Sequence, residues 1–225
     1  FLLTSAAATT EIDGAVGTVN GGFPSALTLT ANTWYHVFIV SQANGVATRF
    51  GFDTDLTASN LRTDWAATEG QPYTLYKRIG SVLTDGSSDI LGFSQIGESF
   101  KWLAPIADYD YNSDGNISNA VGGTTVNLSV PTGVRVISRI LAKKNGNNNN
   151  TGIFLYSTED DEPTVAAPAA GTSLHQLGSG SAEDFALSQE MQVFTDSSSN
   201  IKAKSNSTGG ELVVYTLGWS DNYDE

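Results

Sequence analysis

The sequence predicts an all-β protein built of antiparallel sheets, a β-sandwich or jelly-roll-like domain with at most one short helix. Three observations carry this expectation. Apolar residues recur with period two in about ten short runs, turn chemistry separates those runs, and no strand–helix–strand alternation interrupts them. With 225 residues and 40% hydrophobic content the chain can build a core without disulfides, as it must, having no cysteine.

The first clear strand is Trp34-Tyr35-His36-Val37-Phe38-Ile39-Val40. It places Trp34, His36, Phe38 and Val40 on one face and Tyr35, Val37 and Ile39 on the other, so it reads as a central strand covered on both sides. Asn44-Gly45 follows, a pair suited to a type I′ turn, and leads into 46–52 as the second arm of a hairpin. Residues 53–71 are the best place for a helix of two or three turns, with Leu56, Leu61 and Trp65 on one stripe. Strands are then expected at 73–84, 89–95 and 98–103, joined tightly as a meander. The polar stretch 107–123 reads as a loop. Runs 124–130 and 134–142 flank Pro131-Thr132-Gly133, where proline presets the turn and glycine supplies the freedom at its end. The asparagine-rich tract 143–150 is an exposed loop tip, and 159–181 is the longest irregular connection. Strands at 190–195, 200–205 and 211–219 close the chain. Residues 1–31, small and polar, read as an N-terminal arm or linker, and 32–225 as one β-sandwich domain.

Charge narrows the function. Twenty-four acidic against eleven basic residues leave a net −13, which repels phosphate backbones and sets nucleic-acid binding aside. No apolar run is long enough for membrane insertion. Catalysis has no motif to stand on. His36 lies in a strand read as buried, His175 sits in an irregular stretch, no G-x-S-x-G elbow or phosphate-cradling loop is present, and the many carboxylates are scattered through loops. The expectation is a protein that is not an enzyme. Asp110, Asn112 and Asp114 match the opening of a calcium loop, but its twelfth position is Val121 rather than a bidentate glutamate. An Asp/Asn/Gly turn is therefore the preferred reading, no cofactor is expected, and calcium is the lesser alternative. Trp219 and Tyr223, beside the polar end of the chain, are candidates for ligand stacking or an interface.

Several strings taken together resemble a pattern in tailed-bacteriophage tail-fibre and related virion surface proteins. They are Trp34-Tyr35-His36-Val37-Phe38, Gly51-Phe52-Asp53-Thr54, Tyr76-Lys77-Arg78-Ile79-Gly80-Ser81-Val82 ahead of Thr84-Asp85-Gly86, Phe93-Ser94-Gln95 leading to Phe100-Lys101-Trp102, and Thr216-Leu217-Gly218-Trp219. The resemblance spans about residues 32–221. Past the Gly-Trp pair that family often continues with Asp, Arg and Gly, whereas this chain has Ser220-Asp221-Asn222. The resemblance implies a non-enzymatic virion structural protein, most simply a tail-fibre or adsorption module binding host surface glycans. The alternative is a capsid decoration or head-fibre protein. Either would sit at the virion surface, contact other virion proteins and form a homo-oligomer such as a trimer, with Lys77 and Arg78 as interface candidates.

Overall fold

The computed structural model describes residues 22–144, 152–161, 175–177, 187–206 and 210–221. Their structure is mostly antiparallel strand, as the alternation of the sequence requires, and the chain divides into two compact units, Phe1–Leu91 and Gly92–Glu225. Where the sequence reading carried a single domain through 32–225, the strands regroup at 91/92. The expected meander is absent for the same reason. After β3 the turn at 85–89 closes only one bridge, Thr84 to Ile90, and the chain leaves the sheet, so strand pairs form within each unit.

In the first unit, β1 (Trp34–Gln42) lies between β2 (Thr48–Asp53) and β3 (Tyr73–Leu83), the central position expected of it. The β1–β2 hairpin forms at Asn44-Gly45 with Gly45 at φ +71°, but Asn44 keeps a negative φ. The turn is therefore not type I′; it closes by the Gly45 N–H donating to Gln42 O and the Val46 N–H to Asn44 Oδ1. Helix α1 (Ser59–Glu69) starts in a way the local sequence does not announce. Its N-cap is Ala58, left-handed at φ 53°, with no side chain able to cap. The carboxylate of Asp53, fully buried at the end of β2, takes over that role. Its Oδ2 accepts from the Leu61 N–H at 2.9 Å, and its Oδ1 accepts from the Asp55 N–H at 2.9 Å and Asn60 Nδ2 at 2.8 Å. One side chain thus satisfies donors in the loop and in the first helical turn. The far end stops at Gly70, whose positive φ allows its N–H to reach Ala66 O.

The helix buries Ala58, Leu61 and Trp65 against Phe38, Val40 and Tyr73. Each large side chain so buried contributes about 2 kcal/mol. Leu56, expected on the same stripe, precedes the helix and stays partly exposed.

The second unit holds two sheets, consistent with a sandwich-like fold. The first has the order β10-β7-β12-β5-β4 and the second β6-β11-β8-β9. The strands are β4 (Phe93–Ile96), β5 (Ser99–Asp110), β6 (Thr124–Asn127), β7 (Val136–Lys144), β8 (Ile153–Ser157), β9 (His175–Leu177), β10 (Leu187–Phe194), β11 (Asn200–Ser205) and β12 (Leu212–Asp221). Runs 124–130 and 134–142, which flank Pro131-Thr132-Gly133, join different sheets: β6 pairs with β11 while β7 pairs with β10 and β12. The turn is a crossing between layers rather than a hairpin. Alternation along β7 and β12 buries Val136, Ser138, Ile140 and Ala142 on one strand and Leu212, Val214 and Thr216 on the other. The stretch expected to loop from 107 is strand to Asp110, followed by a single helical turn, α2 (Tyr111–Asp114).

Near the end of β12 the aromatic residues Phe93, Phe100, Trp102 and Trp219 collect. Phe100 and Trp219 stack at 4.7 Å with planes 4° apart, and Trp102 tilts against Trp219 at 5.2 Å. The stack requires β12 to approach β5 at Gly218, where an added Cβ would lie 2.1 Å from Phe100 O. Asp108 of β5 binds the neighbouring crossing segment. It accepts from Ser129 Oγ at 2.6 Å, from the Ser129 N–H and from Thr216 Oγ1, while Trp102 Nε1 donates to Ser129 O.

Two substitutions test these supports by urea denaturation followed through tryptophan fluorescence. Asp53→Ala should destabilise the first unit by about 3 kcal/mol, because it strands the buried Leu61 N–H together with the part-buried donors of Asp55 and Asn60. Gly218→Ala should cost about 2 kcal/mol or more, since the obstruction is backbone and cannot rotate away.

Candidate functional site

Built from the strands upward, the surface that gathers the most chemistry lies on β3 and α1 of the first unit. Along β3 the residues Thr74, Leu75, Tyr76 and Lys77 are all exposed, an unusual run for an 11-residue strand. Leu75 retains 51% of its surface and Tyr76 44%. Register explains the arrangement. Tyr76 stands opposite Val40 and Arg78 opposite Phe38, both members of the core under α1, so these two project from the helix-bearing face. Leu75 and Lys77 project from the other. The structure therefore separates Lys77 from Arg78, which sequence reading had paired as an interface site.

Arg62, one turn into α1, sits 5.0 Å over the Tyr76 ring. Its Nε donates to Tyr73 O at 2.8 Å and its Nη1 to Thr57 O at 3.2 Å, so the guanidinium is clamped by two carbonyls. No carboxylate among the described residues pairs with it. The edge of Phe38 supports the Tyr76 ring, with centroids 6.4 Å apart at 69°. A rigid guanidinium on a supported aromatic ring presents N–H donors, positive charge and an apolar surface together. Such a platform takes an anionic or polyhydroxylated group by hydrogen bonds and stacking. Sequence reasoning missed Arg62 and Tyr76 as a pair, since fourteen positions separate them and only the packing of α1 on β1 and β3 unites them.

Beside the platform Arg49 is already neutralised. Arg49 contacts Glu69 through Nε at 2.9 Å and Nη2 at 2.6 Å and lies 5.3 Å over Trp65. Glu69 also accepts from Tyr73 OH at 2.6 Å. Tyr73, drawn out of water and bonded to that carboxylate, has its phenol pushed up to about 12, and the same bond holds Glu69 below its ordinary range.

His36 is core, as expected. It is 3% exposed, and its Nδ1 lies 2.8 Å from Ser81 Oγ, which accepts from Arg78 Nη1 at 2.9 Å. Burial first, then the Arg78 charge, lower its pKa to about 4.

The remaining candidates fall elsewhere. Asp110, Asn112 and Asp114 form a self-capped turn. Asp110 Oδ1 accepts from the N–H and Nδ2 of Asn112, and Asp114 Oδ2 accepts from the Asp110 N–H and Ser113 Oγ. One carboxylate oxygen of Asp110 and one of Asp114 are thus engaged by the loop's own donors. Among the described residues no group of three or more histidine or acidic side chains is arranged to hold a metal. Trp219 is 1% exposed, stacked on Phe100; its role is packing, and the stacking-platform reading is corrected because β12 is a central strand. Tyr223 and the tip 145–150 lie outside the described residues, as does the side chain of His175. No family model, curated protein or solved structure matches the chain.

The depressed His36 pKa carries a pH dependence with a definite sign. Between its folded value near 4 and its unfolded value near 6.5 the unfolded chain binds the extra proton, so the contribution is present above pH 6.5 and is lost on acidification toward 4. Urea titrations should show His36→Gln losing about 3 kcal/mol less than the wild type across that window.

Proposed function

We propose that this chain is a non-enzymatic virion surface protein of a tailed bacteriophage, acting as a tail-fibre or adsorption module that binds host surface glycans and works as a homo-oligomer among other virion proteins. The observation that carries the reading is the Tyr76–Arg62 platform. A sugar ring packs its apolar C–H face on exposed aromatic and aliphatic surface, and the clamped guanidinium takes a carboxylate or phosphate carried on the same glycan. Arg78 follows Tyr76 on the same side of the sheet, in a chain of net charge −13. Antiparallel sheets under both units supply the rigid backing that a surface adhesin needs. The resemblance of several ordered strings to tail-fibre proteins, among them the β3 segment holding Tyr76, Lys77 and Arg78, points the same way.

A second reading, a capsid decoration or head-fibre subunit, is favoured by one feature, the exposed aliphatic side chains Ile96 and Leu103 of β4 and β5, which suit contact with protein more than with sugar. Copy number per particle separates the two, since decoration predicts occupancy of capsid lattice sites.

The test of the first reading is a glycan array at low salt with the purified chain. Acidic glycans should be retained in preference to neutral ones. Tyr76→Ser and Arg62→Ala should each weaken retention at least tenfold, while Lys77→Ala, on the opposite face, leaves it within about twofold. Retention unaffected by both platform substitutions would remove the reading.

A further inference from the structure

We propose that Asp55 is a positioning residue for the platform: it pins the turn at Thr57 and Ala58, whose Thr57 carbonyl holds the Arg62 guanidinium on Tyr76. The proposal deepens the attachment reading and rests on it for its ligand, an acidic sugar. It starts from the helix entry. Ala58 is left-handed at φ 53°, a conformation that suits glycine or asparagine, yet it is fully buried in the cluster of Phe38, Leu61 and Trp65. Core packing accounts for its methyl group and not for its backbone. Backbone held in a sparsely populated region gathers where the structure serves a site.

That conformation changes which acceptor takes which donor. In an uninterrupted helix the Leu61 N–H would donate to the carbonyl four residues back, that of Thr57. Here Asp53 Oδ2 accepts it instead, at 2.9 Å, and the Arg62 N–H donates to Ala58 O at 2.9 Å. The Thr57 carbonyl is left to accept from Arg62 Nη1 at 3.2 Å. Asp55 fixes that carbonyl in place. Its Oδ1 accepts from the Thr57 N–H at 2.8 Å and from Thr57 Oγ1, and its own carbonyl accepts from the Ala58 N–H at 3.0 Å. The bonds from the Thr57 hydroxyl and N–H hold the Asp55 carboxyl below its ordinary range. The second carbonyl comes from another local irregularity. Between Gln42 and Ser41 of β1 the partner on β3 moves from Tyr73 to Leu75, so Thr74 is an extra residue, a bulge. Tyr73 O, just before it, accepts from Arg62 Nε at 2.8 Å. A left-handed residue on one side and a bulge on the other thus bring two carbonyls to one guanidinium.

The clamp decides how a ligand is met. A guanidinium offers two forks of parallel donors, Nε with Nη2 and Nη1 with Nη2. With Nε given to Tyr73 O the first fork is closed, and an acidic group is taken at Nη2, from the end of the side chain. Because the arginine is immobilised before a ligand arrives, binding forfeits little of its rotamer freedom. An arginine released from Thr57 O would keep its charge and lose that advantage.

The test uses the full chain with Asp55→Ala, Asp55→Asn and Thr57→Val, read by side-chain NMR and by retention on the acidic glycans of the array. In the wild type the Arg62 Nε–H should exchange slowly with solvent, and the Arg62 Cδ protons, beside the Tyr76 ring, should lie upfield of their ordinary position. Asp55→Ala should speed that exchange severalfold, reduce the upfield shift and weaken retention about fivefold. Asparagine keeps an acceptor for the Thr57 N–H, so Asp55→Asn should restore most of both. Charge alone predicts the reverse, since removing an acid from a chain of net −13 favours an acidic ligand and does so equally in the two variants. Protection of the Leu61 amide, held by Asp53, reports whether the helix start is intact. Where Asp55→Ala loses it, Thr57→Val decides, because it removes one bond at an exposed side chain and should move the Arg62 signals in the same direction. Arg62 signals that stay at wild-type values while Leu61 remains protected overturn the proposal, and so does asparagine behaving like alanine. Arg62 signals that respond to Asp55 in a chain retaining no glycan remove the attachment reading and leave the positioning role; retention with unresponsive signals does the reverse.

Discussion

The candidate platform depends on the buried carboxylate of Asp53. It ends β2, and by accepting from the backbone N–H groups of Asp55 and Leu61 and the amide of Asn60 it determines where α1 begins and how it lies on β1. Arg62 is the next residue after Leu61, so the same hydrogen bonds that start the helix aim the guanidinium at Tyr76. Burying a carboxylate is costly unless its oxygens are satisfied, and here they are taken up by donors that a helix start otherwise leaves orphaned. The interaction is therefore both a structural tie and the positioning device for a surface several residues away.

The second unit meets a different constraint. Its five-stranded sheet centres on β12, and the Phe100–Trp219 stack there requires backbone approach that only glycine at 218 permits. Trp219, which looked available for ligands in a linear reading, is consumed by this packing. What remains outside is aliphatic, Ile96 and Leu103. The two units thus offer unlike surfaces, one with an arginine held over an exposed tyrosine, the other with exposed aliphatic side chains.

The strands legible in the sequence were those whose alternation is strong. β1, with its period-two apolar run, and β12, containing Thr216-Leu217-Gly218-Trp219, stand where expected. The helix was legible too, though for partly wrong reasons, since Leu56 does not belong to its buried stripe and its cap is remote. Pairing was not legible. The turns at 85–89 and 131–133 look like hairpin turns in one dimension, but whether the next strand pairs back depends on which sheet has an open edge at that place, a long-range fact. The same limit explains the site. Lys77 and Arg78 are adjacent in the chain and opposed in the sheet, while Arg62 and Tyr76 are distant in the chain and stacked in space.

By itself the sequence determined the all-β class, the absence of disulfide support, the acidic surface and the burial of His36, because each follows from composition or from local periodicity. Only the tertiary structure decided that the strands sort into two units, that Trp219 is core, that the Asp110 turn caps itself, and that an arginine of the helix and a tyrosine of the third strand form one surface. Those outcomes depend on which residues meet across tens of positions, and backbone hydrogen bonding and side-chain packing settle that together rather than residue by residue.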